Sequence, residues 1–543
     1  MSWSAIDCYI GWLLASSFAG MKSRLAIVIF ASSLLACAAS GGGTGDGDGD
    51  GDGDGDGDGD NRALRFSQAV AGAMNANPNV YPRIGVRVAT ASEQTAVTVI
   101  ADGQDYAAID DDGDGEWIAK LPIAEMPIGP IELTAFAGSA RTTATLVLDR
   151  GGVQITDFDA AGAAATPRIT NTGTELLLTW ADRSVGNRTA WLQRFDGAGR
   201  ALEDKIQLID SVEEVHYART AVGKSAIGVL YQQNGGPYAN FLSVVSFEGE
   251  LLAGPFTLDP ASTYGSFGGD IKYDGAGFVA AWRSNDGAGG GQVRWIRVDE
   301  SNLEASEPVL VASSGPGTAQ EPVGRFVPFT FLSLEVIGDA SVIGFVRKHY
   351  DAFPDFAVNK AQLAVVEMDG TLRSSDHLVA RSDPSWHHEL RLFGQADGVV
   401  ALWASESLLS TENNIPTDFF ARTLDGNGQL VGQTAVVVTA PAHRVEPFGI
   451  RHPRHTAVLA WLDERSYDET PTEGRIELYT AALGTDMAVA EPVVFGHARF
   501  IEGTAQLRGA LAGDNVVLTW LDEREGGGIG NSRSEVYLET VWF

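Results

Sequence analysis

Apolar and polar positions alternate along most of this chain. From Tyr81 the apolar residues fall at every second place: Ile84, Val86 and Val88; Val97 and Val99; Trp117, Ala119 and Leu121; Ile131, Leu133 and Ala135; Ala144, Leu146 and Leu148. Turn residues at Asp102-Gly103 and Gly113-Asp114-Gly115 separate the runs. A period of two broken by turns predicts antiparallel strands with one buried face, here a small β-sandwich over residues 61–150.

Beyond residue 150 the pattern repeats. Apolar runs close on an aromatic at Trp180, Tyr231, Trp282, Phe345, Trp403, Trp461 and Trp520, at successive spacings of 51, 51, 63, 58, 58 and 59 residues. A Gly, Asn or Asp turn precedes nearly every run, at Asn171-Thr172-Gly173, Asp274-Gly275 and Gly513-Asp514 for example. After the aromatic come a polar loop, a second alternating strand such as Val293 to Val298, a turn often written Asp-Gly, and a short last strand such as Ile206 to Ile209. Four strands per unit of 50 to 60 residues without helical periodicity predict a β-propeller over residues 151–543, seven-bladed within a range of six to eight. The seventh unit reaches only its third strand by Phe543, and Val153 to Thr156 has the form of the missing fourth. Such borrowing would close the ring and leave no open sheet edge.

Two of these stretches carry resemblances. Val458 to Arg465 and Val517 to Arg524 share the string Trp-Leu-Asp-Glu-Arg, and Trp180-Ala181-Asp182-Arg183 is a shortened version. The Trp-x-Asp-x-Arg string resembles propeller repeats of bacterial exported proteins, which implies that the aromatic fills between blades and that Asp with Arg fixes the next turn. Asp463/Arg465 and Asp522/Arg524 would be catalytic in a rival reading, but one active site does not need the same pair in several blades. Asp114-Gly115-Glu116-Trp117, followed by an apolar strand and Gly129, resembles bacterial Ig-like modules of surface proteins, so the first sandwich is expected to be Ig-like.

The N-terminus adds a destination. Lys22 and Arg24 precede an apolar run, Leu25 to Leu35, that is short for a membrane span and reads as part of a signal peptide over residues 1–36, with Met21 as the candidate start. Leu34-Leu35-Ala36-Cys37 resembles a bacterial lipobox, which makes Cys37 the expected lipid anchor. Ala38 in place of an Asp retention signal points to the outer membrane, on its periplasmic or surface face. Eight Gly-Asp pairs, Gly45 to Asp60, lie within the segment 37–60; free glycine backbones and mutually repelling Asp make it an extended spacer.

Charge narrows the partners. The formal charge is −33; the leader carries a net +1 and the spacer eight Asp, which leaves −26 for residues 61–543. So acidic a body repels phosphate backbones and excludes nucleic acid as a partner. The expected partners are the membrane, through the lipid, and a protein or glycan ligand; nothing in the sequence sets the oligomeric state. Only Cys8 and Cys37 are present, so no disulfide framework holds the body.

Candidate chemistry is sparse. Asp110, Asp112 and Asp114 in D-x-D-x-D-G spacing form the front half of a calcium loop, but Leu121 stands where an EF-hand needs its bidentate Glu; calcium at a stiffened turn is the candidate cofactor. Ligands of propellers sit at the channel mouths, so the long insertions near Tyr350, Asp351, Trp386, His387, Tyr467 and Asp468 are the candidate binding loops. No nucleophile–base pair is legible, and no catalytic residue is assigned. A carbohydrate-active enzyme, sialidase-like or another glycoside hydrolase, is the alternative; the Asp-box Ser/Thr-x-Asp-x-Gly-x-x-Trp that a sialidase would show is absent from the sequence. The expected function is therefore a cell-envelope lipoprotein displaying a propeller as a binding or scaffold module.

Overall fold

The computed structural model describes residues 64–90, 96–156, 164–182, 189–209, 214–234, 238–258, 268–285, 291–313, 329–349, 358–378, 385–395, 398–407, 417–439, 444–463, 475–499, 506–522 and 534–543. Cys37 and the spacer lie outside them. All described residues belong to one compact unit, Ala63–Phe543. The fold is all-β.

Seven four-stranded antiparallel sheets form the blades of a propeller. Their innermost strands are Ala164–Asn171, Glu214–Val222, Gly269–Tyr273, Phe329–Ile337, Ser385–Gln395, Arg444–His452 and Arg508–Ala512 for blades 1 to 7. Burial along a blade follows the sequence pattern. The second strand is covered on both faces and reads as an unbroken apolar run: Leu176–Asp182 in blade 1 and Asn515–Asp522 in blade 7 are buried at every position. Outermost strands such as Leu251–Thr257 are largely exposed, apolar residues such as Leu251 included.

The repeated aromatics end these second strands, and none is more than 3 % exposed. Several stack on the residue directly opposite in the third strand: Tyr231 on Phe241 at 5.5 Å, Trp403 on Phe420 at 5.9 Å, Trp461 on Tyr479 at 5.7 Å and Trp520 on Tyr537 at 6.0 Å between centroids. These cross-strand aromatic pairs stiffen blades 2, 5, 6 and 7. Each hydrophobic cluster of the ring joins neighbouring blades, as Leu177, Leu192, Val215 and Tyr231 join blades 1 and 2.

Blade 7 takes its fourth strand from before blade 1. Val153–Gln154 pairs antiparallel with Glu535–Val541, Tyr537 opposite Gln154 and Leu538 opposite Val153. The ring is closed by backbone hydrogen bonds between strands some 380 residues apart, as the missing strand predicted.

Residues 64–148 fold as one eight-stranded sheet. Its strands are β1 (Arg65–Phe66), β2 (Ala73–Ala76), β3 (Ile84–Ala89), β4 (Val97–Ala101), β5 (Gln104–Ile109), β6 (Glu116–Leu121), β7 (Gly129–Ala137) and β8 (Ala140–Leu148). Their spatial order is β1-β3-β6-β5-β4-β7-β8-β2, with β2 parallel to β8. Only two residue pairs, Ala108–Ala119 and Ile109–Ile118, join β5 to β6. This seam unites a three-stranded half and a five-stranded half around a single core of Val86, Val99, Leu121, Leu133 and Leu146. The sequence pattern missed β5 because Ala108 alone on it is buried, while Ile109 is 58 % exposed.

This module is seated on the propeller. The Val70 carbonyl accepts the Gly197 N–H at 2.9 Å, Asn75 Oδ1 accepts the Thr540 N–H at 2.9 Å, and the indole of Trp542 enters the module's core while donating to the Asn75 carbonyl at 2.9 Å. Four charges alternate across the junction: Arg87 Nη1 lies 3.3 Å from Glu116, Arg87 Nε 3.3 Å from Asp514, Arg454 Nη2 3.0 Å from Glu116 and Arg454 Nε 2.5 Å from Asp514. A Cβ on Gly197 would stand 2.2 Å from the Ala73 carbonyl oxygen, and one on Gly513 2.6 Å from that of Ser67. Gly197→Ala is therefore expected to pry the module off blade 1 while leaving the ring intact. Limited proteolysis should then release a propeller fragment faster than from wild type; unchanged cleavage would contradict a rigid seat.

Candidate functional site

One position of the repeat breaks the repetition. On each innermost strand the residue opposite the one preceding the closing aromatic lies at the same level of the channel: Arg168 faces Thr179, Arg219 faces Leu230, Asp270 faces Ala281, Ser333 faces Gly344, Arg391 faces Leu402, Phe448 faces Ala460 and Arg508 faces Thr519. Four of the seven are arginines and one is an acid. The other two are Ser333 and Phe448, so this level differs in chemistry from blade to blade. Repeated residues build the scaffold, and a ring of differing polar residues on it is where a site resides.

A second ring holds the first in place. The inner strands of blades 1, 5 and 6 carry wide bulges at Thr166-Pro167, Glu389-Leu390 and Glu446-Pro447, and Gln506-Leu507 precedes blade 7's strand. Thr166, Glu389, Glu446 and Gln506 all have φ between 51° and 54°, and this left-handed turn aims each side chain at the next blade. Thr166 Oγ1 donates to the Ala218 carbonyl at 2.8 Å; Glu389 accepts the Glu446 N–H; Glu446 accepts the Leu507 N–H at 3.2 Å; Gln506 accepts the Thr166 N–H at 2.5 Å. Ser333 Oγ accepts the Leu392 N–H at 3.0 Å and Asp270 accepts the Leu334 N–H at 3.0 Å. Side chain to backbone, these bonds run blade to blade around the channel.

Electrostatics divide the arginine ring in two. On one side Asp270 pairs with Arg168 and lies 3.7 Å from Arg219. Burial would raise its carboxyl, but Arg168, Arg219 and Lys272 and the Leu334 N–H outweigh that and hold it well below the usual carboxylate range. It is a fixed anion. Burial pulls Arg219 down to about 10, with Asp270 opposing and Arg168 and Arg391 adding to the shift. On the other side Arg508 is lowered well below the ordinary guanidinium value, by burial and then by Arg391, Arg219 and Arg168, against Glu446. Its Nη1 donates to its neighbour's carbonyl, Leu507, at 2.6 Å. Arg391 has no ion-pair or hydrogen-bond partner among the described residues, and its Nε is buried.

Of the residues expected from sequence, Asp110, Asp112 and Asp114 do come together: one ligand oxygen from each lies within 4.8 Å of the others, between β5 and β6. Asp110 also closes the turn, accepting the Gly113 and Gly115 N–H groups at 2.8 and 3.1 Å. Tyr350, Asp351, Tyr467 and Asp468 lie outside the described residues. Trp386 and His387 fall not on a loop but in the inner strand of blade 5, paired with Glu406 and Ser405. The repeat's Asp182, Asp463 and Asp522 are buried, at 7, 0 and 0 % exposure; the arginines after them are outside the described residues. The channel ring escaped sequence reading, although a signal existed: six of its members stand twelve residues before a closing aromatic, and Phe448 thirteen.

His452, at the end of blade 6's inner strand, joins blade 6 to blade 7. Its Nδ1 accepts the Arg454 N–H at 3.2 Å, so its Nε2 carries the proton and donates to the Asp514 carbonyl at 2.7 Å. The ring stacks on His455 at 4.9 Å. Burial depresses its pKa, with the Asp514 carbonyl opposing and His455 and Arg454 reinforcing. A depressed histidine lends stability that is complete above its ordinary value of 6.5 and is lost as pH falls through that value toward the folded one. Melting temperature is thus expected to drop between pH 7.5 and 5.5, and to drop less in His452→Gln; equal slopes would remove His452 from the account.

No family model matches the chain, and no curated protein matches it. Among solved structures it is similar to a protein of unknown function from Dyadobacter fermentans (12 % identity over 72 % of this chain and 98 % of that one, TM-score 0.41). It is also similar to an oligogalacturonate lyase in complex with manganese (12 % identity, 76 % and 97 %, TM-score 0.43). A third likeness is to an endo-arabinase from Bacteroides thetaiotaomicron (9 % identity, 54 % and 99 %, TM-score 0.30). At these identities and scores no activity carries across.

Proposed function

We propose that the chain is a cell-envelope lipoprotein, anchored through Cys37 in the outer membrane and held off it by the Gly-Asp spacer, whose propeller binds a protein or glycan ligand in its central channel. The observation that carries this reading is the channel ring Arg168, Arg219, Asp270, Ser333, Arg391, Phe448 and Arg508, four arginines and one acid at one level of the inner strands. The first module is read as Ig-like: its halves β1-β3-β6 and β5-β4-β7-β8-β2, with β2 parallel to β8, support that assignment. Calcium at Asp110, Asp112 and Asp114 would stiffen the β5–β6 turn.

A carbohydrate-active enzyme is the second reading, because Asp270, Glu389 and Glu446 place three carboxylates on the channel strands. Each is already engaged. Asp270 is fixed by two arginines and a backbone N–H, and Glu389 and Glu446 each accept an N–H of the next blade. Such groups serve poorly as acid or base. The test is retention of envelope proteins and array glycans by the immobilised full chain, with and without millimolar Ca²⁺. Retention without turnover supports the binding reading; turnover abolished by Glu389→Gln or Glu446→Gln would replace it with the enzyme; no retention in either condition would end it.

A further inference from the structure

The channel ring is unbalanced. Four arginines face one aspartate at this level, and counting Glu389 and Glu446, two residues before Arg391 and Phe448, still leaves a net positive charge. This stands inside a body whose formal charge is −26. The imbalance is also lopsided. Asp270 answers Arg168 and Arg219, on blades 1 and 2. The arc of blades 5 to 7 presents Arg391, Phe448 and Arg508, with no acid at that level. Glu389 and Glu446 each have Oε2 engaged by a backbone N–H of the following blade. Arg391 is left with a buried Nε lacking a partner, and Arg508 with only its neighbour's carbonyl.

Arg391 and Arg508 are only partly buried, so each presents guanidinium N–H groups to the channel with no ion-pair partner among the described residues. Planar guanidinium forks match the oxygens of a carboxylate or a phosphate. We propose that the arc of blades 5 to 7 is an oxyanion site, in which Arg391 and Arg508 take a carboxylate or phosphate group of the ligand while the Arg168–Asp270–Arg219 side fixes the ring. This rests on the reading of the channel as the binding site and gives that ligand its chemical class. Ligands lacking an oxyanion do not satisfy the site.

The experiment is calorimetric titration of the full chain at low salt with glucuronate, inorganic phosphate and, as the neutral probe, glucose. Wild type is expected to bind at least one of the two anions and not glucose; whichever anion binds more tightly identifies a carboxylate or a phosphate source. Arg391→Gln is expected to weaken binding by roughly tenfold or more, and Arg508→Gln likewise. Arg391→Lys, which keeps the charge and loses the fork, should fall between and covers the case in which the glutamine variant misfolds. Arg373→Gln, an equal charge change beside Glu367 on the outside of blade 4, should bind as wild type does. Glucose bound as well as either anion, no anion bound at tens of millimolar, or undiminished binding in both Arg391 variants would overturn the proposal. An envelope ligand retained equally by wild type and Arg391→Gln would remove the oxyanion site and leave the binding module standing.

Discussion

Asp270→Asn is expected to lower stability by about 3–5 kcal/mol, the usual result of breaking a buried ion pair from one side. The substitution keeps the size of the side chain and one acceptor oxygen. It removes the only negative charge at a level holding Arg168, Arg219, Arg391 and Arg508, two of which it contacts. The lost carboxylate also accepts the Leu334 N–H, the link from blade 3 to blade 4. Because its folded pKa is depressed, Asp270 contributes its full stabilisation above the ordinary value of 3.8 and loses it as pH falls below that toward the folded value. The penalty of the variant should accordingly be the same at pH 7 and pH 5. Urea unfolding midpoints at the two pH values measure it, and a loss under 1 kcal/mol would mean that the arginines are hydrated rather than held.

Trp520→Ala is expected to cost a similar amount, about 3–5 kcal/mol, for a different reason. Trp520 is fully buried, stacked on Tyr537 at 6.0 Å and edge-on to Phe495 of blade 6 at 5.9 Å. Packing is so close on its far side that a Cβ on Gly152 would meet its ring at 2.8 Å. Alanine would leave a cavity walled by strands that cannot collapse without breaking ladder bonds. The indole N–H has no hydrogen-bond partner among the described residues, so the loss is one of packing and not of polar contact. Trp520→Phe should recover most of it. Denaturant unfolding of both variants separates the cases: equal losses would assign the cost to the indole nitrogen after all.

What the chain reveals of itself before folding follows from where it repeats. The seven closing aromatics, the blade count and the borrowed strand Val153–Gln154 were legible because each blade must solve the same packing problem, and the solution recurs at near-constant spacing. Strand β5 was not, since a strand with one buried residue leaves no alternation to read. The bulges at Thr166, Glu389 and Glu446 were not, since a left-handed turn taken by Thr or Glu has no signature in a single sequence. The channel ring was not legible because its members vary from arginine to Asp270, Ser333 and Phe448, so no repeated string marks the position. Aromatic and acidic loop residues such as Tyr350 and Tyr467 stand out in the sequence instead, and these lie outside the described residues.

The seat of Trp542 in the core around Val86 and Leu133 has a consequence in time. Its hydrogen bond to Asn75 joins residues 467 positions apart, and the ring's closing strand spans nearly as far. Six blades can form as they emerge, each on its predecessor. The core of the first module and the last blade are completed only when residues 535–542 arrive. Contacts of such separation are slow to form, so during synthesis the first module is made before the blades but finished only with the last of them, and it stays open to chaperones and proteases until residues 535–542 arrive.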